Sequence, residues 1–427
     1  MAKNLLIVTY YFPPMGGVGV QRVLKLIKYL PRYGYNPVIL TVAGATHNVM
    51  DSSLSELSYL KGVPIYRIGG ERLMSYLNSR QKKGGVGLMG NLFAIKQLRF
   101  MDIYSAWWRD LLPEAQDICE KENIDIIYST SPPHSVHIFA KKIKEMTGLK
   151  WVMELRDSMT EWPLRKPGLI TSIQSFVESC YEPRLYESAD GIIFVTKYQR
   201  KHAVQRCPQL VEKQTEVVLN GYDEDEMRCS ESQKVTDVFR IVYTGSLQDF
   251  DISVFCDALV CFSESKANKN VDIELCIVGD INSEAQAHLD RIGITINVVL
   301  TGVVSHSEAL DYQQKAHCLL LIQTTNYKQR GSEILTGKVF EYIGAKRPIL
   351  AVIKKGELRN LIIDNDIGIV SDPFDIEGIC KAIEWCYRVS IGREVEPSYR
   401  VSHDKKFTRL YQAEKTAKFM DIVGGGG

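Results

Sequence analysis

"NLLIVTYYFPPMGGVGVQRVLKLIKYLPRYG", residues 4–34, reads as one repeat of a parallel sheet. "LLIVTYY" is a short apolar run rich in β-branched residues, the composition of a strand buried on both faces. Beyond it, Val23, Leu24, Ile27 and Leu30 recur at helical spacing, and Pro31 and Gly34 mark the helix end. Between strand and helix stand Gly16, Gly17 and Gly19. Glycines there let backbone N–H groups approach a phosphate or a sugar, and a helix start adds partial positive charge. A Gly-rich turn without a ligand explains this segment equally well.

The alternation of strand and helix continues outward. "NPVILTVA" (36–43), "IDIIYST" (124–130), "KWVMEL" (150–155) and "GIIFVT" (191–196) follow in the first half. "FRIVYTG" (239–245), "DIELCIVGD" (272–280), "INVVLTG" (296–302), "CLLLIQT" (318–324) and "RPILAVI" (347–353) repeat the scheme in the second. Asn220-Gly221 is a turn signal, and a polar stretch to about Asp237 breaks the periodicity. The pattern predicts an α/β protein of two doubly wound parallel-sheet, Rossmann-like domains, 1–220 and 238–400, with a helix over 405–423 packing back on the first. A chain of 427 residues exceeds what one core usually covers. Sheets of this kind bind ligands beyond the carboxyl ends of their strands.

Composition removes several classes of function. Lys and Arg number 52 against 51 acids, so no nucleic-acid partner is expected. The ten cysteines form no C-x-x-C pair and read as reduced thiols of a cytoplasmic protein. Of the eight histidines, His134 and His137 are the only close pair, and no zinc-type cluster with cysteine arises. The N-terminal apolar stretch is too short for a signal-peptide core, and no run approaches the ~18 residues of a membrane span.

"GSEILTGKVFEYIG", residues 331–344, carries the chemistry. Thr336 in the N-cap position would start a helix at Gly337, leaving Glu333 in the loop and setting Lys338 and Glu341 three apart on one helical face. A nucleotide diphosphate over this helix mouth meets unpaired N–H groups and the Lys338 ammonium, and Glu341, a turn further in, can accept both ribose hydroxyls. An ordinary Lys338–Glu341 surface ion pair with a solvated Glu333 fits the spacing as well.

"EILTGKVFE", with its continuation "YIGAKRPILAV", resembles the donor-sugar signature of the family 4 glycosyltransferases of the GT-B fold. The resemblance extends to "YYFPPMGGVGVQR", "STSPPHS", "MELRDS", "VLNGYDEDE" and "YTGSL", and so runs over nearly the whole chain. It implies two domains facing across a donor cleft, with Glu341 on the ribose, Lys338 and the helix start on the diphosphate, and Glu333 on the transferred sugar. Donor-binding residues would be Gly16, Gly17, Gly19, Gly245, Ser246, Arg330, Ser332, Ile334, Leu335, Lys338 and Glu341. It also implies retention of configuration, transfer from a nucleotide diphosphate sugar, with UDP expected, to a glycan or lipid-linked glycan in polysaccharide biosynthesis, and no metal or other cofactor.

Two departures stand out. Many relatives carry an Arg just after the glycine of "YTGSLQDFD" and a Lys a few residues on; here Ser246 cannot neutralise a phosphate, and Asp249 and Asp251 repel one. Lys328 or Arg330 would replace that charge, or are simply exposed loop cations. In "MELRDS", Arg156 and Asp157 stand where many relatives place a His. Asp157 can accept the acceptor's proton while Arg156 orients it, unless the two form a structural ion pair.

Residues 72–101 contain six Lys or Arg and no acid, interleaved with Met74, Leu77, Phe93, Met101 and other apolar residues and followed by Trp107 and Trp108. That mixture suits an anionic membrane surface, which would make the enzyme peripheral on the inner face of the cell membrane; a solvated basic face is the other reading. A sugar-nucleotide epimerase of the same architecture, or a non-catalytic nucleotide-sugar-binding partner, remain rival functions.

Overall fold

β1 (Lys3–Thr9), the strand of the opening stretch, lies inside a seven-stranded sheet in the computed structural model. The structure describes residues 2–44, 50–71, 73, 101–102, 104–108, 112–160, 168–227, 238–322, 335–395, 397 and 405–425. The sheet adds β2 (Tyr35–Val42), β3 (Ile65–Ile68), β4 (Ile126–Ser131), β5 (Lys150–Leu155), β6 (Gly191–Phe194) and β7 (Thr215–Val217) in the order β3-β2-β1-β4-β5-β6-β7. Every pairing is parallel. A second sheet holds β8 (Val238–Thr244), β9 (Asp272–Val278), β10 (Asn297–Gly302), β11 (Cys318–Ile322), β12 (Ile349–Val352) and β13 (Gly368–Ser371) in the order β10-β9-β8-β11-β12-β13, again all parallel. Both sheets reverse direction of growth beside their first strand, between β1 and β4 and between β8 and β11. Those two places are the topological switch points where such sheets take ligands.

The chain divides into two compact units, Met1–Asn220 with Arg409–Gly427, and Gly221–Thr408. Each has its own core. In the first, Leu5, Ile7, Ile39, Ile127, Val152 and Ile192 are fully buried between helices on both faces; in the second, Ile241, Leu275, Leu320 and Leu350 do the same. The helix Arg409–Val423 belongs to the first unit: Asp421 Oδ1 accepts from Lys3 Nζ and from the Tyr35 hydroxyl, each at 2.8 Å.

The ten apolar runs of the sequence all lie on strands. β3, β7 and β13 were not expected. All three are sheet edges of three or four residues, too short to write a continuous apolar run, whereas the fourth edge, β10, is six residues long and wrote one.

Of residues 72–101 the structure describes Leu73 and Met101 alone. Leu73 and Met101 are buried, as are Trp107 and Trp108. The indole Nε1 of Trp107 donates to Ile68 O at 2.8 Å, and Trp108 stacks on Phe139 with ring centroids 5.6 Å apart. Both tryptophans are core residues of the first unit and do not face a bilayer. The cations Arg72, Arg80, Lys82, Lys83, Lys96 and Arg99 lie outside the described residues, and among the described residues no helix is long and apolar enough to cross a membrane.

Candidate active site

In the second unit, the helix Gly337–Ala345 follows the switch point beside β8 and β11. It begins at Gly337, after Thr336 with extended cap dihedrals, but the Thr336 hydroxyl makes no capping bond. The first-turn N–H groups are therefore not capped by that side chain, which keeps them available to an anion. Leu335, just before the helix, is buried.

Lys338 and Glu341 share this helix but form no ion pair. The Lys338 ammonium sits 3.9 Å from the Tyr243 ring centroid and 5.4 Å from that of Phe250, and it donates to the Tyr243 hydroxyl. Glu341 Oε2 instead accepts from Gln313 Nε2 at 3.0 Å. The surface-pair reading of their spacing is thus replaced by two separate commitments. Burial lowers the Lys338 pKa to about 7, although Glu341 and the acid Asp280 both pull it upward. An ammonium poised near neutrality against an aromatic face gains most from an incoming phosphate.

Gly245 follows β8 at φ 111°, a conformation L side chains rarely adopt. A Cβ there would come within 2.5 Å of Lys338 Cε, so the missing side chain is what lets the lysine lie across the strand end. Its N–H donates to Val278 O at 2.7 Å. Ser246 is exposed; its Oγ accepts from Gln248 N at 3.2 Å and its carbonyl accepts from the Tyr243 hydroxyl at 2.8 Å. Asp251, read as repelling phosphate, accepts from Ser253 N at 2.8 Å at the start of the next helix. Arg330, Ser332, Glu333 and Ile334, with Lys328, lie outside the described residues.

In the first unit, Gly16 is buried and Gly17, at φ 88°, occupies the N-cap position of the helix Val18–Tyr29. Gly19 lies in the first turn, and its carbonyl accepts from Arg156 Nη1. Arg156 also donates from Nε to Ser131 O at 2.7 Å and from Nη2 to Pro132 O at 3.3 Å. Its guanidinium thus clamps three backbone carbonyls, and no Arg156–Asp157 ion pair forms. Asp157 makes no hydrogen bond among the described residues, and burial raises its pKa to about 6, with Arg156 opposing. His134 Nδ1 lies 3.0 Å from Ser131 Oγ, in the N-cap position of the helix Ser135–Thr147.

Three residues carry weight here that the sequence reading gave no role. Glu154, fully buried on β5, pairs with buried Arg22 at 2.6 Å and accepts from Thr130 Oγ1 at 2.6 Å. Arg22 further donates to Val218 O, Leu219 O and Asn220 Oδ1. Burial alone would raise the Glu154 pKa, but Arg22 and these bonds hold it below the usual carboxylate range. Tyr11, hydrogen-bonded to Tyr104, packs beside Gly19 and Arg156, adding an aromatic wall. The signal was present in "TYYFPPMGGVGVQR" and "MELRDS", but a charge inside an apolar strand shows its partner only in three dimensions.

Two doubly wound parallel-sheet units, each with a glycine after its first strand, define the GT-B fold of nucleotide-sugar enzymes. Residues 238–388 match the family described as "Glycosyl transferases group 1", so the second unit is a group 1 glycosyltransferase domain. Solved structures extend the fold to the whole chain. A glycosyltransferase from Rickettsia africae ESF-5 aligns with a TM-score of 0.65 at 13% identity, covering 99% of this chain and 98% of its own. Sucrose-phosphate synthase from Thermosynechococcus elongatus aligns at 0.66 and 13%, covering 100% of both chains. HepE from Anabaena, solved in complex with UDP and glucose, aligns at 0.62 and 14%, covering 98% and 99%. No sequence match among curated proteins is found.

Proposed function

We propose that this chain moves a sugar from a UDP-sugar to a hydroxyl of a glycan or lipid-linked glycan in polysaccharide biosynthesis, with retention of anomeric configuration. The observation that carries the reading is the divided commitment of Lys338 and Glu341 within the matched domain. A lysine held over a ring with one hydrogen-bond partner among the described residues, beside helix N–H groups that the Thr336 side chain leaves uncapped, suits a diphosphate; a carboxylate one turn further along suits a ribose. The UDP bound to HepE, whose fold this chain shares, favours uridine.

In this reading Gly245 lets Lys338 lie across the end of β8, and the helix start neutralises the leaving diphosphate without a metal ion. Glu333 contacts the transferred sugar, and Gly16, Gly17, Gly19, Ser246, Arg330, Ser332, Ile334 and Leu335 complete the donor site. With no carboxylate assigned as nucleophile, attack comes from the front face, and charge developing on the sugar is stabilised electrostatically. Asp157, without a hydrogen-bond partner among the described residues and with a raised pKa, takes up the acceptor's proton, while Arg156 fixes the loops around it. The cations of 72–101 bring the enzyme to an anionic membrane surface.

Assay with UDP-glucose, UDP-galactose and UDP-N-acetylglucosamine against undecaprenyl-linked glycan acceptors, in the presence of chelator, tests the whole reading. Transfer with retention is expected. Conversion of the nucleotide sugar without acceptor would point to an epimerase, and donor binding without transfer or hydrolysis to a non-catalytic partner. Glu333→Gln should lower turnover far more than donor binding.

A further inference from the structure

We propose that Gln313 is the positioning residue for Glu341: it holds that carboxylate in the orientation that grips the donor ribose. The inference rests on the reading of Glu341 as the ribose ligand. Gln313 lies in the last turn of the helix His306–Gln314 and is fully buried. Its one amide nitrogen donates twice, to Glu341 Oε2 and to Thr244 Oγ1, each at 3.0 Å.

The neighbouring bonds fix which way this amide faces. The Tyr342 hydroxyl accepts from Thr244 N at 3.1 Å and donates to Leu320 O at 3.2 Å, and the Thr244 hydroxyl proton points to Tyr342 at 3.4 Å. Thr244 Oγ1 therefore has only acceptor capacity left for Gln313, and the Glu341 carboxylate is an acceptor too. A flipped amide would set its oxygen against the Glu341 carboxylate and draw the Thr244 hydroxyl away from Tyr342. The amide nitrogen is forced toward them, and Gln313 Oε1 is left buried without a hydrogen-bond partner among the described residues. A fold that leaves an acceptor unpaired in order to bring two donor bonds to one strand end and one carboxylate is organised around that carboxylate. The same chain of bonds ties the Glu341 helix to β8 and β11, the two strands of the switch point, so the carboxylate is registered against the sheet.

A nucleotide with a full ribose should sense Gln313; one lacking the 2′-hydroxyl should sense it much less. Calorimetric titration of the full chain with UDP and dUDP decides this. Gln313→Met, close in length and unable to donate, should weaken UDP about tenfold and dUDP less than twofold, with kcat at saturating donor unchanged within twofold. Gln313→Glu places a second carboxylate against Glu341, so its loss of UDP affinity relative to wild type, which already weakens above pH 7 through Lys338, should be largest at pH 8 and shrink toward pH 5 as the pair takes up a proton. Equal weakening of UDP and dUDP in Gln313→Met, or no weakening of either, overturns the proposal, as does a Gln313→Glu variant without that pH dependence. The underlying reading fails differently: Glu341→Ala would then keep the wild-type preference for UDP over dUDP. Failure of the wild type to bind UDP overturns both.

Discussion

Both units set one cation beside the switch point of a doubly wound sheet, and the two are held in opposite ways. Arg156 spends its guanidinium on three backbone carbonyls, from Ser131, Pro132 and Gly19, so it locks two loops together. Lys338 rests on the Tyr243 ring with the Tyr243 hydroxyl as its hydrogen-bond partner. A fork of five donors in rigid geometry suits fixed carbonyls; an ammonium on a flexible stem suits a ligand that comes and goes. On the proposed function, the first cation serves architecture and the second ligand exchange.

The largest effect expected lies with the buried charges of the first unit. Arg22→Ala or Glu154→Leu strands a charge in the core and should cost about 3–5 kcal/mol, read by urea unfolding. The double variant Arg22→Met with Glu154→Leu should recover most of that loss. Because Glu154 is depressed in the folded state, its contribution is full above the unfolded carboxylate pKa and is lost as pH falls through the folded value. Single variants within 1 kcal/mol of wild type would contradict this account of the first unit.

Next in size is the contrast between the two cations themselves. Removing a hydrogen bond to a charged group costs about 1.5–3 kcal/mol, so Lys338→Met should weaken UDP binding about 10- to 100-fold. Its melting temperature should hold or rise, since the variant no longer desolvates an ammonium. Arg156→Met should do the reverse, lowering the melting temperature while UDP binding stays within twofold. A common pattern in both variants would erase the distinction.

Proton chemistry gives an effect of up to tenfold per pH unit. With Lys338 lowered to about 7, UDP affinity should fall as pH rises through that value, and binding near pH 7 should take up protons from the buffer. With Asp157 raised to about 6, kcat/KM should fall as pH drops below it. Asp102, buried and accepting from Ser135 N and Oγ, is also raised to about 6. Asp157→Asn separates the two: it should abolish the acid limb if Asp157 is the base and keep it if Asp102 is responsible. Lys338→Arg should carry the alkaline limb upward.

What the sequence revealed follows from how local each signal is. Central strands such as β1, β5, β8 and β11 are buried on both faces, so burial writes continuous apolar runs; edge strands β3, β7 and β13, three or four residues long, are too short to write one. The helix at Gly337 was legible because capping and periodicity act within one turn. The partners of its side chains were not. Lys338 meets Tyr243 and Glu341 meets Gln313, residues 95 and 28 positions away, and spacing alone had left an ion pair between the two as an equal choice. Trp107 and Trp108 misled for the same reason: composition next to a basic run suggested a surface, and only the packing on Phe139 and Ile68 shows a core.

The smallest effect expected tests the glycines that both switch points share. Gly245→Ala forces a left-handed residue and drives a Cβ into Lys338, so it should cost at least ~1–2 kcal/mol and weaken UDP binding as well. Gly19 is different. It is helical, and a Cβ there would meet Arg156 Nη1 and Tyr11 at 3.5 Å, ordinary contact. Ala in place of a helical Gly gains about 0.5–1 kcal/mol from reduced chain entropy, so Gly19→Ala should leave the melting temperature unchanged or slightly raised. If the glycine serves only the helix and the Arg156 clamp, transfer activity should stay within twofold of wild type. If a donor or acceptor passes directly over that first turn, as the resemblance implied, activity should drop at least tenfold with the fold intact. Melting temperature and turnover measured on this one variant therefore decide whether the first unit's glycines touch substrate or only shape the loop that Arg156 holds.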